Sequence, residues 1–255
     1  MIINSHFWRG VTMSAEKTLE IIDLFNYETR ELSVQQIAIL LNSPQSSVYR
    51  HLKILKEKGY VVETSLGNYK LGYRFLQLAK YVKSDINLSS IAFPVMKNLS
   101  TKLGETIILT IPTEYSAVCL EVVTPDKAIK VASEQGKILP LHAGASTKTL
   151  LAYMPDDTLE QLSKRGLLHK YTETTKTSVE EIQEDMKVTR EKGYSYSDSE
   201  VDEGVIAYGV PIHDMDNHLI AALSIAGPSE RMKEVEEQKI IEQLFDAKEE
   251  IEHYF

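Results

Sequence analysis

The chain has 255 residues, 43% of them hydrophobic and 25% charged, which is enough for one large or two modest domains, each with its own core. Its single cysteine, Cys119, excludes an intramolecular disulfide and favours a reducing compartment. No apolar run approaches the ~20 residues of a membrane span, and residues 1–11 lack the core of a signal peptide. We therefore expect a cytoplasmic protein without a membrane partner.

Formal charge is distributed unevenly along the chain. Residues 1–84 carry eleven Lys and Arg against seven Asp and Glu, hence +4, and the remainder carries seventeen against thirty, hence −13. Because phosphate repels an acidic surface, we expect nucleic-acid binding in the N-terminal part alone. Met13-Ser14-Ala15-Glu16 is typical of a start just before a helix, so we expect residues 1–12 to be an extension without function.

Apolar spacing predicts two helices at the start of the chain. The first spans residues 15–27. The second spans residues 33–41 and opens on Ser33, with Gln36 three positions later. At this spacing each side chain can bond the backbone N–H of the other residue, which marks the start of a helix.

A third helix follows a tight break in the chain. We expect Ser43 to cap this helix, Pro44 to hold its first position, residues 45–58 to form it and Gly59 to end it. One apolar stripe is expected to face the core, formed by Val48, Leu52 and Leu55.

A short hairpin then joins residues 60–63 to residues 69–71 through a turn at Ser65-Leu66-Gly67-Asn68. This order of elements predicts a winged helix-turn-helix, whose third helix suits the major groove of DNA. The side chains expected to contact DNA are Gln45, Ser46, Ser47, Tyr49, Arg50, Lys53, Asn68 and Lys70. The alternative is a small helical subdomain with a solvated basic face, because charged faces are usually solvated.

A second domain is expected after a connecting helix at residues 72–82. Ser84-Asp85 forms a plausible boundary, and residues 88–103 predict an amphipathic helix ended by Gly104. We place the domains at 13–72 for the winged helix, 73–84 for the linker helix and 85–255 for the rest.

The second domain is predicted to mix strands and helices, which makes the fold class α+β. Strands are expected at residues 106–111, 117–123, 128–133, 205–212 and 219–226. Helices are expected at residues 147–154, 156–164 and 179–192 and at the C-terminus.

From about Met13 onward the chain resembles the IclR family of bacterial transcription regulators. The resemblance rests on SSVYRHL at residues 46–52, PLHAGASTKTLLA at residues 140–152, and EGVIAYGVPI at residues 203–212 with AALSIAGP at residues 221–228. It implies a winged helix joined by a helix to a GAF-like α/β domain with a mainly antiparallel sheet. It also implies a homodimer or tetramer on a palindromic operator in double-stranded DNA, and a small effector, which we expect to be an organic acid.

The resemblance assigns effector contacts to Gly144, Ala145, Ser146, Ala207, Ser224 and Ala226. Small side chains at a helix start let a ligand reach free N–H groups, which attract carboxylates. Ser224 and Ala226 are two residues apart and so share one face of a strand. The alternative is that these small residues only permit close packing of helix and sheet.

The chain departs from the family at an acidic pocket position. Asp198, Glu200 and Asp202 are candidates for it, and Ser197 is a candidate for the aligned place itself. Related regulators carry Cys or Ser at some of the other pocket positions, so the alanines at 207 and 226 predict a less polar pocket.

Two other classes of function compete with a regulator. A small-molecule hydrolase could use His142, yet no acid or nucleophile stands at a recognisable spacing and no Gly-x-Ser-x-Gly occurs. We expect Cys119 to be a buried core thiol and His213 and His218 to be exposed, and hence no catalytic residue, no cofactor and no metal site. The other alternative is an architectural DNA-binding protein whose C-terminal domain only oligomerises.

Overall fold

The computed structural model describes residues 15–26, 28–85 and 87–255. The described residues form two compact units, one up to residue 85 and one from residue 87. Residues 1–12, Met13 and Tyr27, where predicted segments begin or end, lie outside the described residues.

The N-terminal unit is a winged helix-turn-helix, as predicted. Residues 15–23 form helix α1, and the elements that follow are α2 (Val34–Leu40), α3 (Gln45–Glu57), β1 (Val61–Glu63) and β2 (Tyr69–Leu71). The two strands pair antiparallel, with Val62 opposite Lys70. The predicted stripe is buried in one core that contains Ile21, Ile37, Val48, Leu52 and Leu55.

Of the two helix caps that the sequence predicted, the cap of α2 is confirmed and the cap of α3 is wrong. Gln36 N donates to Ser33 Oγ over 3.2 Å, and Ser33 N donates to Gln36 Oε1 over 2.9 Å, so the predicted reciprocal cap of α2 is present. Ser43 does not cap α3, because Pro44 is the N-cap residue, with ψ 137°. The Ser43 hydroxyl instead donates to the Leu41 carbonyl over 2.9 Å.

Two helices follow the wing, α4 (Arg74–Asp85) and α5 (Asn87–Leu103). Gly104, with φ +70°, adopts the left-handed conformation that ends α5, as the sequence predicted. The buried side of α5 has the helical spacing of an amphipathic helix and contains Leu88, Ala92, Val95, Met96 and Leu99.

The second unit is built on a six-stranded sheet. Its strands are β3 (Thr106–Pro112), β4 (Ala117–Val123), β5 (Ile138–Leu139), β6 (Ser195–Asp198), β7 (Val205–His213) and β8 (Leu219–Pro228). The spatial order is β5-β4-β3-β8-β7-β6, and every neighbouring pair is antiparallel. The mainly antiparallel sheet is therefore confirmed.

Besides α5, five further helices accompany this sheet in the part of the chain that the structure describes. They are α6 (Ala145–Tyr153), α7 (Thr158–Lys164), α8 (Val179–Lys192), α9 (Ser229–Met232) and α10 (Glu237–Glu252). Helix α6 contacts β3, β6, β7 and β8, and it also contacts α8. No helix among the described residues is both long and apolar enough to cross a membrane.

The strand predicted at residues 128–133 is wrong, because this segment is an irregular loop. Side chains, not a neighbouring strand, donate to two of its carbonyl groups. Thr106 Oγ1 donates to the Val131 carbonyl over 2.8 Å, and Arg231 Nη2 donates to the Ile129 carbonyl over 3.0 Å. The short strand β5 pairs with β4 in its place, and neither β5 nor β6 was predicted.

Candidate functional site

A cavity of about 670 Å³, counted to its open mouth, lies beside the start of α6 and one face of the sheet. All six predicted effector contacts line the cavity: Gly144, Ala145, Ser146, Ala207, Ser224 and Ala226. The structure therefore brings together residues that lie up to 82 positions apart in the chain.

Strand register explains why these residues share one wall. Ser197 of β6 lies opposite Ala207 of β7, which lies opposite Ala226 of β8. Two residues along β8, Ser224 lies opposite Ile108 of β3. Because side chains two apart point to the same face, these residues form one surface, and Ile108 joins the cavity lining.

The start of α6 supplies hydrogen-bond donors to the cavity. Its N-cap residue, Gly144, has φ +91° and offers no side chain to cap the first turn. The N–H groups of a helix's first turn have no acceptor within the helix, and they carry partial positive charge. Ala145, Ser146 and Thr147 therefore present such groups beside the cavity that they line.

Close packing of α6 also depends on a small residue. A Cβ at Gly209 would lie 2.9 Å from Thr149 Oγ1 and 3.0 Å from the Ala145 carbonyl oxygen. Gly209 of β7, which is not among the predicted contacts, thus permits close packing of the sheet against α6. The predicted contact residues have different surroundings from Gly209, because they also line the open cavity.

The acidic candidates have different surroundings. Ser197, Glu200 and Asp202 line the cavity, whereas Asp198 lines a neighbouring groove. Glu200 is buried, and its carboxylate accepts from Gly144 N over 3.1 Å and from Lys148 Nζ over 2.6 Å. An acidic side chain therefore stands at the start of α6, although it already has two donors from the protein.

Glu200 belongs to a larger ionic cluster. Lys148 Nζ also lies 3.0 Å from Asp185 Oδ2, and Lys176 pairs with the other oxygen of Asp185. Two cations and two carboxylates alternate in this cluster, which connects α6 to α8 and to the segment before β7. The sequence analysis missed Lys148, although a Lys within an otherwise apolar helical run predicts a buried ion pair.

The predicted DNA-contacting side chains lie on α3 and the wing. Six of the eight are exposed: Gln45, Ser46, Tyr49, Arg50, Lys53 and Lys70. Ser47 and Asn68 are half-buried. Lys56 of α3 pairs with Glu63 of β1 over 2.5 Å, a contact between helix and wing that the sequence analysis did not predict.

Both parts of the chain match known protein families. Residues 79–253 match the bacterial transcriptional regulator IclR C-terminal family, and residues 14–65 match the IclR helix-turn-helix domain. The chain belongs to the IclR family. It is thus a transcription regulator of this family with a DNA-binding helix-turn-helix domain.

Individual IclR-family relatives match over most of their length. The HTH-type transcriptional regulator XynR of Escherichia coli K12 is 30% identical over 238 residues, 93% of this chain and 94% of XynR. An IclR transcriptional regulator from Silicibacter sp. TM1040 is 26% identical, with a TM-score of 0.80 over 94% of this chain and 95% of that one. The IclR homologue from Microbacterium hydrocarbonoxydans, solved with 4-hydroxybenzoate, shares the fold, with a TM-score of 0.82, 21% identity, and coverage of 94% and 98%.

Residues considered for catalysis have structural contacts. His142 is buried, its Nε2 donates to the His169 carbonyl over 2.8 Å, and burial lowers its pKa. Cys119 is buried, as predicted, and burial raises the pKa of its thiol. His213 is half-buried with Nδ1 3.5 Å from Glu252 Oε1, so its predicted exposure is wrong, whereas His218 is exposed. Among the described residues no group of His, Cys, Asp and Glu could hold a metal ion.

The ionic cluster makes the stability of this regulator depend on pH. Burial alone would raise the pKa of Asp185, but the ammonium groups of Lys148 and Lys176 outweigh burial and hold the pKa below its usual value. A lowered pKa in the folded state contributes stability above the unfolded-state value of about 3.9, and this contribution is lost as pH falls through the folded value.

We therefore expect Asp185→Asn to lower the free energy of unfolding by about 1–3 kcal/mol at pH 7, and by less at pH 3. Urea unfolding at both values measures the difference. Asp156→Asn is the control, because its carboxylate is 92% exposed in a surface pair with Arg190 and should change little. Equal losses for Asp185→Asn at the two pH values would contradict the role of its charge.

Proposed function

We propose that this regulator changes its affinity for an operator when a small organic acid binds in the cavity beside α6. The observation that carries the proposal is the convergence of six predicted contacts on one cavity at a helix start without a side-chain cap. Carboxylates form charge-assisted hydrogen bonds with such N–H groups. The 4-hydroxybenzoate in a homologue of the same fold supports an acid as the class of ligand.

At the other end of the chain, α3 is proposed to enter the major groove while the wing contacts the DNA backbone. One short helix reads few bases, so two copies on a palindromic operator, as a homodimer or tetramer, would supply the affinity. We propose that residues 13–72 bind DNA, that residues 73–84 form the linker, and that residues 85–255 bind the effector.

A hydrogen-bonded route leads from the cavity wall to α5, the helix that follows the linker in the chain. Ser133 and Lys137 line the cavity, and Gln135 between them donates through Nε2 to Glu121 Oε1. The other carboxylate oxygen of Glu121 accepts from Ser89 Oγ of α5 over 2.7 Å. We propose that Glu121 transmits the position of this loop to α5, with a coupling of about 1–3 kcal/mol.

A substitution of Arg50 tests whether this face of α3 binds DNA. The exposed position of Arg50 on α3 suits a bidentate contact with guanine, so Arg50→Ala should weaken operator binding by about 1–3 kcal/mol and relax specificity at one position. The assay is a gel-shift titration with an operator selected by the full chain from random duplex DNA. Lys233→Ala, which removes one positive charge outside the winged helix, should keep the affinity. Unchanged binding by Arg50→Ala would refute this contact.

A substitution of Ala207 tests whether the cavity binds the acid. Ala207→Phe should fill the space beside Ser197 and Ala226 and abolish acid binding, while operator affinity stays unchanged because the winged helix has its own core. Thermal shift with a panel of organic acids and their amides measures binding. Acids should raise the melting temperature of the unsubstituted chain and the amides should not. Equal shifts by acid and amide, or a normal response of Ala207→Phe, would show that the site lies elsewhere.

A substitution of Glu121 tests whether the hydrogen-bonded route from the cavity to α5 carries the response to the acid. A Gln at this position has one acceptor oxygen where the carboxylate now accepts from Ser89, Gln135 and Val122 N. Glu121→Gln should keep operator affinity without acid and reduce the acid-induced change several-fold. Glu134→Gln, an exposed change of the same charge in the same loop, is the control. An acid-induced change of full size in Glu121→Gln would exclude this route.

A further inference from the structure

Serine hydroxyls around the cavity have hydrogen-bonding capacity that the protein leaves unused. Ser197 shows this best: it lines the cavity, it is 4% exposed, and its hydroxyl bonds to no residue that the structure describes. Buried hydroxyls in proteins nearly always have a partner. The Ser197 oxygen is not among the fully enclosed atoms that lack a partner, so it opens onto the cavity, where a ligand can supply the missing hydrogen bond.

Three more serines line the same cavity with incomplete hydrogen bonds. Ser224 Oγ lies 3.5 Å from the Ile108 carbonyl, at the outer limit of a hydrogen bond. Ser133 Oγ faces the Cys119 sulfur at 3.7 Å, and sulfur is a weak acceptor. Ser146 Oγ accepts from Thr110 Oγ1 over 3.1 Å and so keeps its own proton to donate.

The neighbouring charges restrict which polar groups of a ligand can meet these serines. Asp202 lies on the same stretch of wall, five residues after Ser197 in the chain, and unlike Glu200 it has no ion pair among the described residues. Carboxylates repel a second acid group, but they accept hydrogen bonds from hydroxyls. A ligand hydroxyl can donate to a carboxylate or a serine and also accept from a serine. An apolar group could do neither, and it would leave Ser197 without a partner.

We propose that the effector is a small hydroxylated monocarboxylic acid and that Ser197 determines this specificity by bonding to a ligand hydroxyl. This inference rests on the proposed function, which places the acid group at the start of α6. Ser197 stands in a cross-strand row with Ala207 and Ala226. The wall therefore offers one polar position beside two apolar ones, which suits a carbon chain or ring that carries a hydroxyl at a defined place.

Matched pairs of acids test the proposal on the full chain by calorimetric titration: lactate with propionate, gluconate with hexanoate, and 4-hydroxybenzoate with benzoate. In at least one pair the hydroxylated acid should bind about tenfold tighter or more, because a site built for a hydroxyl discriminates against its absence. Ser197→Ala should lower the affinity for the hydroxylated acid to that of its partner and leave the partner unchanged.

Two further variants make the result decisive. Ser197→Thr keeps a hydroxyl and should keep the preference, and Ser163→Ala, on the exposed part of α7, should bind as the unsubstituted chain does. Acids that bind equally with or without the hydroxyl, or a preference that survives in Ser197→Ala, would overturn the inference while the proposed function stands. No binding by any acid of the panel would overturn both.

Discussion

The ion pair between Lys148 and Glu200 is the interaction on which the second unit depends most. Lys148 lies in α6, where the residues from Ala145 to Ala152 are all buried. A buried ammonium group is costly unless it is paired, and the loss of one partner leaves an uncompensated charge. Glu200 and Asp185 both pair with it, so the start of α6 can be buried only while the chain segment carrying Glu200 lies against it.

The same pair shapes the cavity. Glu200 binds Gly144 N with its second oxygen, which fixes the residue just before the donors of the first turn of α6. The remaining N–H groups of that turn belong to a helix that packs closely on Gly209, where an added Cβ would lie within 3.0 Å of Ala145 and Thr149. Preorganised donors of this kind lose little entropy when a ligand binds.

Much of this arrangement could be predicted from local sequence patterns. The alternation of Ser224 and Ala226, the Ser33–Gln36 cap and the left-handed glycine after α5 each depend on residues within a few positions of one another. The cavity contacts came from a family resemblance and not from the residues alone, since small residues at a helix start also suit close packing of helix and sheet.

Long-range side-chain contacts account for most of what the sequence did not predict. The segment 128–133 has the residue composition of a strand, but Thr106 and Arg231 donate hydrogen bonds to two of its carbonyl groups. Ser43 is a residue type that often caps helices, but the extended backbone continues to Pro44, which is the N-cap residue of α3. His213 follows a strand toward a turn, yet α10 brings Glu252 to it. For the segment 128–133 and for His213 the partner is chosen by the tertiary fold, over distances that a local pattern does not cover, whereas the Ser43 hydroxyl bonds to Leu41, two residues away.

The cavity wall at residues 131–137 unites these long-range contacts with the proposed ligand response. Its backbone is held at Val131 by Thr106 and at Lys137 and Gly136 by Cys119, and its Gln135 bonds to Glu121. A regular strand would be fixed by its ladder and could not move without breaking the sheet. This loop is held by two backbone hydrogen bonds to Cys119 and by separate side-chain bonds at Val131 and Gln135. It can therefore shift without breaking a continuous ladder, as the proposed route through Glu121 requires.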